Sequence, residues 1–191
     1  MLQSMTSIIQ DPSRTSPQLI EKDWYGAPVA PPLAYSFALS RDELIFKASR
    51  QAPARIHPDA QPGRFQPELW RYDTAEFFIA AAEGGRYLEF NLCPNGAWWA
   101  CAFDAARQAA AEPPPSGVSA AGQCSAEGWS CEAHLPLSEL KRLGIDPCRC
   151  RLVATAILNT PEQIFLTTAD SSDGEPDFHR PDTWPTAAVG A

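Results

Sequence analysis

Short runs alternating between apolar and polar residues, each cut off by proline, glycine or a polar turn, leave little room for long helices in this chain. In LAYSFALS, Leu33, Tyr35, Phe37 and Leu39 alternate with smaller or polar residues, the two-residue period of a strand with one buried face. Ser40-Arg41-Asp42 supplies a turn, and residues 43–49 give a second strand that completes a hairpin. In RYLEFNLC, Leu88, Phe90 and Leu92 share one face while Tyr87, Glu89 and Asn91 share the other. After the Pro94-Asn95-Gly96 turn, the run 97–105 reads as a strand with Trp98 and Trp99 on opposite faces. Strands are also expected at 74–81, 128–135, 151–159 and 163–169. One helix is expected at 136–143, with Pro136 near its start, Leu137, Leu140 and Leu143 on one side and Gly144 at its end.

Residues 51–67 hold four prolines and read as an irregular connection, as does 105–122 with its triple proline at 113–115. Residues 1–20 read as a loose arm or an extended segment laid over the domain, which spans 21–191. Seven or eight strands and one short helix predict an all-β fold, an antiparallel β-sandwich of jelly-roll or immunoglobulin-like type. With 191 residues, 45% of them hydrophobic, the chain can bury one sizeable core, and this excludes wholesale disorder.

A net charge of -8 without any Lys/Arg run argues against nucleic acid as a partner. The chain lacks a stretch of about 18 apolar residues, so no membrane association is expected. Its first residues lack the basic-then-apolar order of an export signal, and a cytoplasmic protein is expected. The six cysteines show no paired CxxC spacing. At least four free thiols are therefore expected, with Cys93, Cys101 and Cys131 placed in strands as small hydrophobes.

Catalysis has little support. No Ser occupies a Gly-x-Ser-x-Gly elbow, each His is isolated, and Asp73 and Glu76, three residues apart on an extended segment, fall on opposite faces. Glu76 and Glu132 are left free to converge from different strands. Asp170, Asp173, Glu175, Asp177 and Asp182 around Gly174 read as a solvated acidic loop, with structural calcium as the alternative and no other cofactor expected. His179 is placed to pin the last segment to the sandwich through Glu or backbone groups. Of Trp98 and Trp99, one is expected in the core and the other outside or under a loop. An exposed indole offers a flat face for sugar stacking, with Glu89, Asn91 and Glu132 as a polar rim beside Tyr87. The competing reading has both tryptophans covering apolar surface and Tyr87 and Glu89 on a solvated face. Trp70 and Trp129 are expected in the framework, and Trp24 and Trp184 at the domain ends.

Taken in order, LWRYDTAEFFIA, RYLEFNLCPNGAWW, GWSCEAHLPLSEL and PDFHRPDTW resemble the DOMON-like relatives of the family 9 carbohydrate-binding modules. The matching positions are Trp70, Asp73, Glu76 and Phe77; Tyr87, Glu89, Phe90, Pro94 and Gly96; and Gly128, Trp129, Glu132, Pro136 and Leu140. The resemblance implies a jelly-roll or immunoglobulin-like sandwich. It also implies, in several relatives, sugars held between aromatic rings and, in some, structural calcium. A haem-binding branch uses axial Met and His, but the only methionines here are Met1 and Met5, outside the domain. The functional expectation is a non-catalytic binding module for a carbohydrate or other polyhydroxylated ligand. The alternative is a structural or protein-interaction sandwich with a protein partner.

Overall fold

The computed structural model describes residues 7–159, 161–169 and 174–189. The alternating runs become strands of two facing sheets. Along the chain these are β1 (Ser7–Gln10), β2 (Gln18–Lys22), β3 (Pro28–Leu39), β4 (Glu43–Arg50), β5 (Thr74–Ala81), β6 (Tyr87–Leu92) and β7 (Trp98–Ala105). They continue with β8 (Gln108–Ala109), β9 (Ser119–Cys124), β10 (Trp129–Pro136), helix α1 (Leu137–Arg142), β11 (Cys150–Leu158), β12 (Ile164–Thr167) and β13 (Ala187–Val189).

The first sheet runs β13-β1-β3-β4-β10-β9, with β2 sharing the edge of β3; the second runs β12-β11-β5-β6-β7-β8. Pairing is antiparallel except where β1 lies parallel to both β3 and β13, so the sandwich is all-β, with two mixed, mostly antiparallel sheets and one short helix. Ile9 of β1 is fully buried. The remainder of the expected arm, residues 1–6, lies outside the described residues.

Between the sheets, alternation buries Phe37 and Phe46 of the first sheet against Phe77 and Phe90 of the second. Phe77 and Phe90 stack at 5.1 Å, and Phe46 meets Phe77 edge-on at 5.2 Å, offset geometries that aromatic pairs prefer. Helix α1 closes one end by burying Leu140 completely, and Gly144 takes the left-handed conformation (φ 75°) that ends it.

The stretch 105–122 departs from its reading as a loop, because β9 begins inside it at Ser119. Its Ser-Ala-Ala-Gly-Gln-Cys sequence has no large alternating residues to announce a strand, and its place comes from register pairing with β10. The irregular tail likewise ends in β13, which adds to the sheet edge beside β1.

Candidate functional site

The register of the second sheet brings distant residues into rows on its outer face. Thr155, Glu76, Asn91 and Trp99 stand across β11, β5, β6 and β7; Val153, Phe78, Glu89 and Cys101 form the next row; Arg151, Ala80, Tyr87 and Phe103 form the third. This face is covered rather than solvated. The segment 176–184 folds over it, placing Phe178, His179 and Trp184 against Phe78, Tyr87 and Phe103. Tyr87 and Asn91 are fully buried and Glu89 nearly so. The solvated-face reading of Tyr87 and Glu89 is therefore corrected: a segment about ninety residues away supplies the cover.

The cover is incomplete. A cleft of about 300 Å³ remains between the sheet and the segment, lined by Trp70, Glu76, Phe78, Glu89, Arg107, Phe178 and His179 among others. Trp70 sits on the short turn Leu69–Arg71 and is 39% exposed, its ring edge-on to Trp99 at 5.9 Å. Arg107, at the rim, takes a left-handed backbone conformation (φ 60°) in the β7–β8 turn, uncommon for a side-chain-bearing residue. Its N–H donates to the Tyr87 hydroxyl at 3.1 Å, and its guanidinium pairs with Asp177 at 2.7 Å.

Because Tyr87 Oη accepts from Arg107, its own proton is directed to His179 Nδ1, 2.6 Å away. The His179 proton then sits on Nε2, which lies 3.6 Å from Glu89 Oε2, beyond direct hydrogen-bond reach. Burial, helped by the Arg107 charge, pushes His179 down to about 4, so the ring is neutral. His179 thus pins the last segment through the Tyr87 hydroxyl and not, as expected, through a Glu side chain.

Two carboxyl groups form the floor. Glu76 accepts from the Thr155 hydroxyl through Oε2 at 3.2 Å, but its buried Oε1 has no hydrogen-bond partner. Glu89 Oε1 accepts from the Asn91 amide at 3.2 Å, while Asn91 Oδ1 is also buried without a partner. Burial first, and the neighbouring Glu89 second, hold the Glu76 carboxyl well above the usual carboxylate range. Burial lifts Glu89 to about 7, against the opposing pull of Asn91 and Arg107. An unpaired buried acceptor is costly, and a ligand that donates hydrogen bonds would satisfy it.

The six residues expected to make one site are split three ways. Tyr87, Glu89 and Asn91 are at or behind the cleft, and Trp99 props Trp70. Trp98 is in the inter-sheet core, stacked on Phe90 at 5.8 Å. Glu132 is on the outer face of the other sheet, in a chain linking Lys47, Glu132, His134 and Glu43. Convergence of Glu76 with Glu132 is thereby corrected, since the partner of Glu76 is Glu89. A larger depression of about 610 Å³ lies beside Glu132, but the charged groups of that chain already satisfy one another.

Trp70 and Glu76 line the cleft without belonging to the expected ligand-binding set. The hairpin turn at Gly84-Gly85 was the available signal, because its length sets the register that puts Glu76 opposite Asn91. Trp129, 4% exposed, is framework as expected, and Trp24 and Trp184 are buried. Asp73 accepts the backbone N–H groups of Arg55 and Asn159, a structural role. Of the acidic loop, Asp170 and Asp173 lie outside the described residues, and among the described residues no His, Cys, Asp or Glu cluster is arranged to hold a metal ion.

The chain matches no protein-family profile. It is 28% identical over 172 residues to the UPF0462 protein C4orf33 homolog of Mus musculus, covering 84% of this chain and 85% of that one. It is 27% identical to the Danio rerio counterpart, covering 84% and 83%. Among solved structures, a candidate carbohydrate-binding protein from Bacteroides uniformis superposes with a TM-score of 0.70 at 14% identity, over 97% of both chains. A family 9 carbohydrate-binding module from Caldicellulosiruptor kristjanssonii in complex with glucose gives 0.64 at 11% identity, over 97% of this chain and 96% of that one. The cellotriose complex of a family 9 module from the same organism gives 0.63 at 10% identity, over 97% and 93%. At these identities the likeness shows a shared fold.

Proposed function

We propose that this chain is a non-catalytic binding module for a carbohydrate or other polyhydroxylated ligand, seated in the cleft between the second sheet and residues 176–184. The observation that carries the reading is the pairing of an exposed indole, Trp70, with a buried unpartnered acceptor, Glu76 Oε1, in one cleft. A sugar presents an apolar ring face for the first and hydroxyl donors for the second. Arg107 and His179 Nε2 supply donors at the opposite wall. The glucose complex of a family 9 module with the same fold supports this ligand class.

A glycan panel followed by calorimetry on the best hit tests the reading. Trp70→Ala should abolish binding in a folded protein. Undiminished affinity in that variant would refute the cleft as the site.

A further inference from the structure

The cleft floor sets two buried carboxyl groups side by side with one oxygen left unpartnered, and that pairing carries an inference about its ligand. Acceptors dominate: the Glu76 carboxyl, the Glu89 carboxyl and, behind them, Asn91 Oδ1. Few donors reach these oxygens directly. Thr155 serves one Glu76 oxygen, the Asn91 amide serves one Glu89 oxygen, and the Arg107 guanidinium is paired with Asp177. Among the described residues, the only basic side chain within ion-pair distance of either carboxyl is His179, and its ring is neutral.

Register makes the two carboxyls diagonal neighbours on adjacent strands, with backbones about 7–8 Å apart. A small cation between them would face both acids while touching Glu76 Oε1, which is buried and unpartnered. A neutral hydroxyl would satisfy one oxygen and give neither acid a reason to ionise. An ammonium donates three hydrogen bonds and brings the positive charge that lets the carboxyls ionise.

Building on the carbohydrate reading, we propose that the cleft selects a polyhydroxylated ligand bearing a primary amine, such as an amino sugar, with its ammonium seated between Glu76 and Glu89. Trp70 covers the apolar ring face of such a ligand, and His179 Nε2 with Arg107 faces its hydroxyls. An N-acetylated sugar is disfavoured, because the amide has lost the charge and two of the three donors. Seating the cation favours ionised carboxyls, so binding releases protons to the buffer.

Calorimetry with glucosamine, glucose and N-acetylglucosamine at neutral pH, in two buffers of different ionisation enthalpy, tests this in the wild-type protein. The expected result is glucosamine bound at least about tenfold tighter than either neutral sugar, with proton release seen only for glucosamine. Glu76→Gln and Glu89→Gln, which keep the shape of a protonated acid, should bring the glucosamine-to-glucose affinity ratio close to one. Glucose binding without a preference for glucosamine would overturn the amine inference and leave the carbohydrate reading standing. Failure of all three sugars and of a wider glycan panel would overturn both. Thermal stabilisation by calcium chloride that disappears in Glu76→Gln would overturn the inference by assigning the pair to a metal ion.

Discussion

The Tyr87 hydroxyl stands 2.6 Å from His179 Nδ1, joining the middle of the second sheet to a segment 92 residues later in the chain. The same oxygen accepts the N–H of Arg107, so one buried group fixes the rear wall and the rim of the cleft together.

Tyr87→Phe removes this junction while keeping the ring stack on Phe103 at 4.9 Å. It leaves His179 Nδ1 and the Arg107 N–H without their partner, for an expected loss of about 1–3 kcal/mol. Chemical denaturation measures the loss. Amide exchange should quicken in residues 176–184; exchange unchanged there would mean that the aromatic contacts alone hold the segment.

Stability should fall as pH rises through neutrality. Glu89 keeps its proton in the folded chain up to about 7, against an ordinary value of 4.5, so the native state binds more protons in that window and loses stability as pH climbs. Glu76, raised by burial, acts in the same direction. His179 acts oppositely: folded, it resists protonation down to about 4 against an ordinary 6.5, so its contribution is lost as pH falls between those values. The two effects oppose each other between 4.5 and 6.5; above 6.5 the carboxyls act in the same direction as His134, which, against the pull of burial, is raised above its ordinary 6.5 by its hydrogen bonds to Glu43 and Glu132. Denaturation midpoints across this range should show the decline, with a shallower slope in Glu89→Gln. Identical slopes would refute the burial of that acid.

Two tryptophan substitutions should separate binding from folding. Trp98→Ala opens a cavity beside Phe65 and Phe90 and should cost about 3–5 kcal/mol. Trp70→Ala removes a partly exposed ring and should cost well under about 1 kcal/mol while abolishing ligand binding. Equal destabilisation of the two variants would contradict the difference in burial.

The Pro94-Asn95-Gly96 turn packs on β9 with no space for a side chain. A Cβ at Gly122 would lie 2.2 Å from the Pro94 carbonyl oxygen and 2.6 Å from the Gly96 nitrogen, both backbone atoms. Gly122→Ala should cost about 1–3 kcal/mol, seen as a lowered melting temperature. A neutral result would show that the turn can lift away from the strand.

All six cysteines are free thiols: Cys124 and Cys148 are exposed, Cys101 is intermediate, and Cys93, Cys131 and Cys150 are buried. Burial pushes Cys93 up to about 11 and Cys150 to about 12, further suppressing the reactive thiolate. Thiol titration should find two fast groups in the native protein and six in denaturant. Fewer than six in denaturant without reductant would reveal a disulfide.

Much of the fold was legible because strand alternation is a local property. The run 74–81 reads as the strand it forms, and alternation puts Leu88, Phe90 and Leu92 on one face, the one that packs in the core. β9 is not legible for a matching reason: small residues leave no alternating signal, and only the partner strand determines their conformation.

The site was half legible. Alternation placed Tyr87, Glu89 and Asn91 together on one face of β6 and separated Trp98 from Trp99. It carried no information on what covers each face, so the sequence determined which side chains share a surface while tertiary packing decided which surfaces are dry. Folding 176–184 over the second sheet changed an exposed polar stripe into a buried floor. Register across the Gly84-Gly85 turn then set Glu76 beside Glu89 and left Glu132 on the opposite side of the sandwich. The physical reason is range: side-chain alternation repeats every two residues, whereas burial of these acids depends on contacts between segments about ninety residues apart, which no local pattern records.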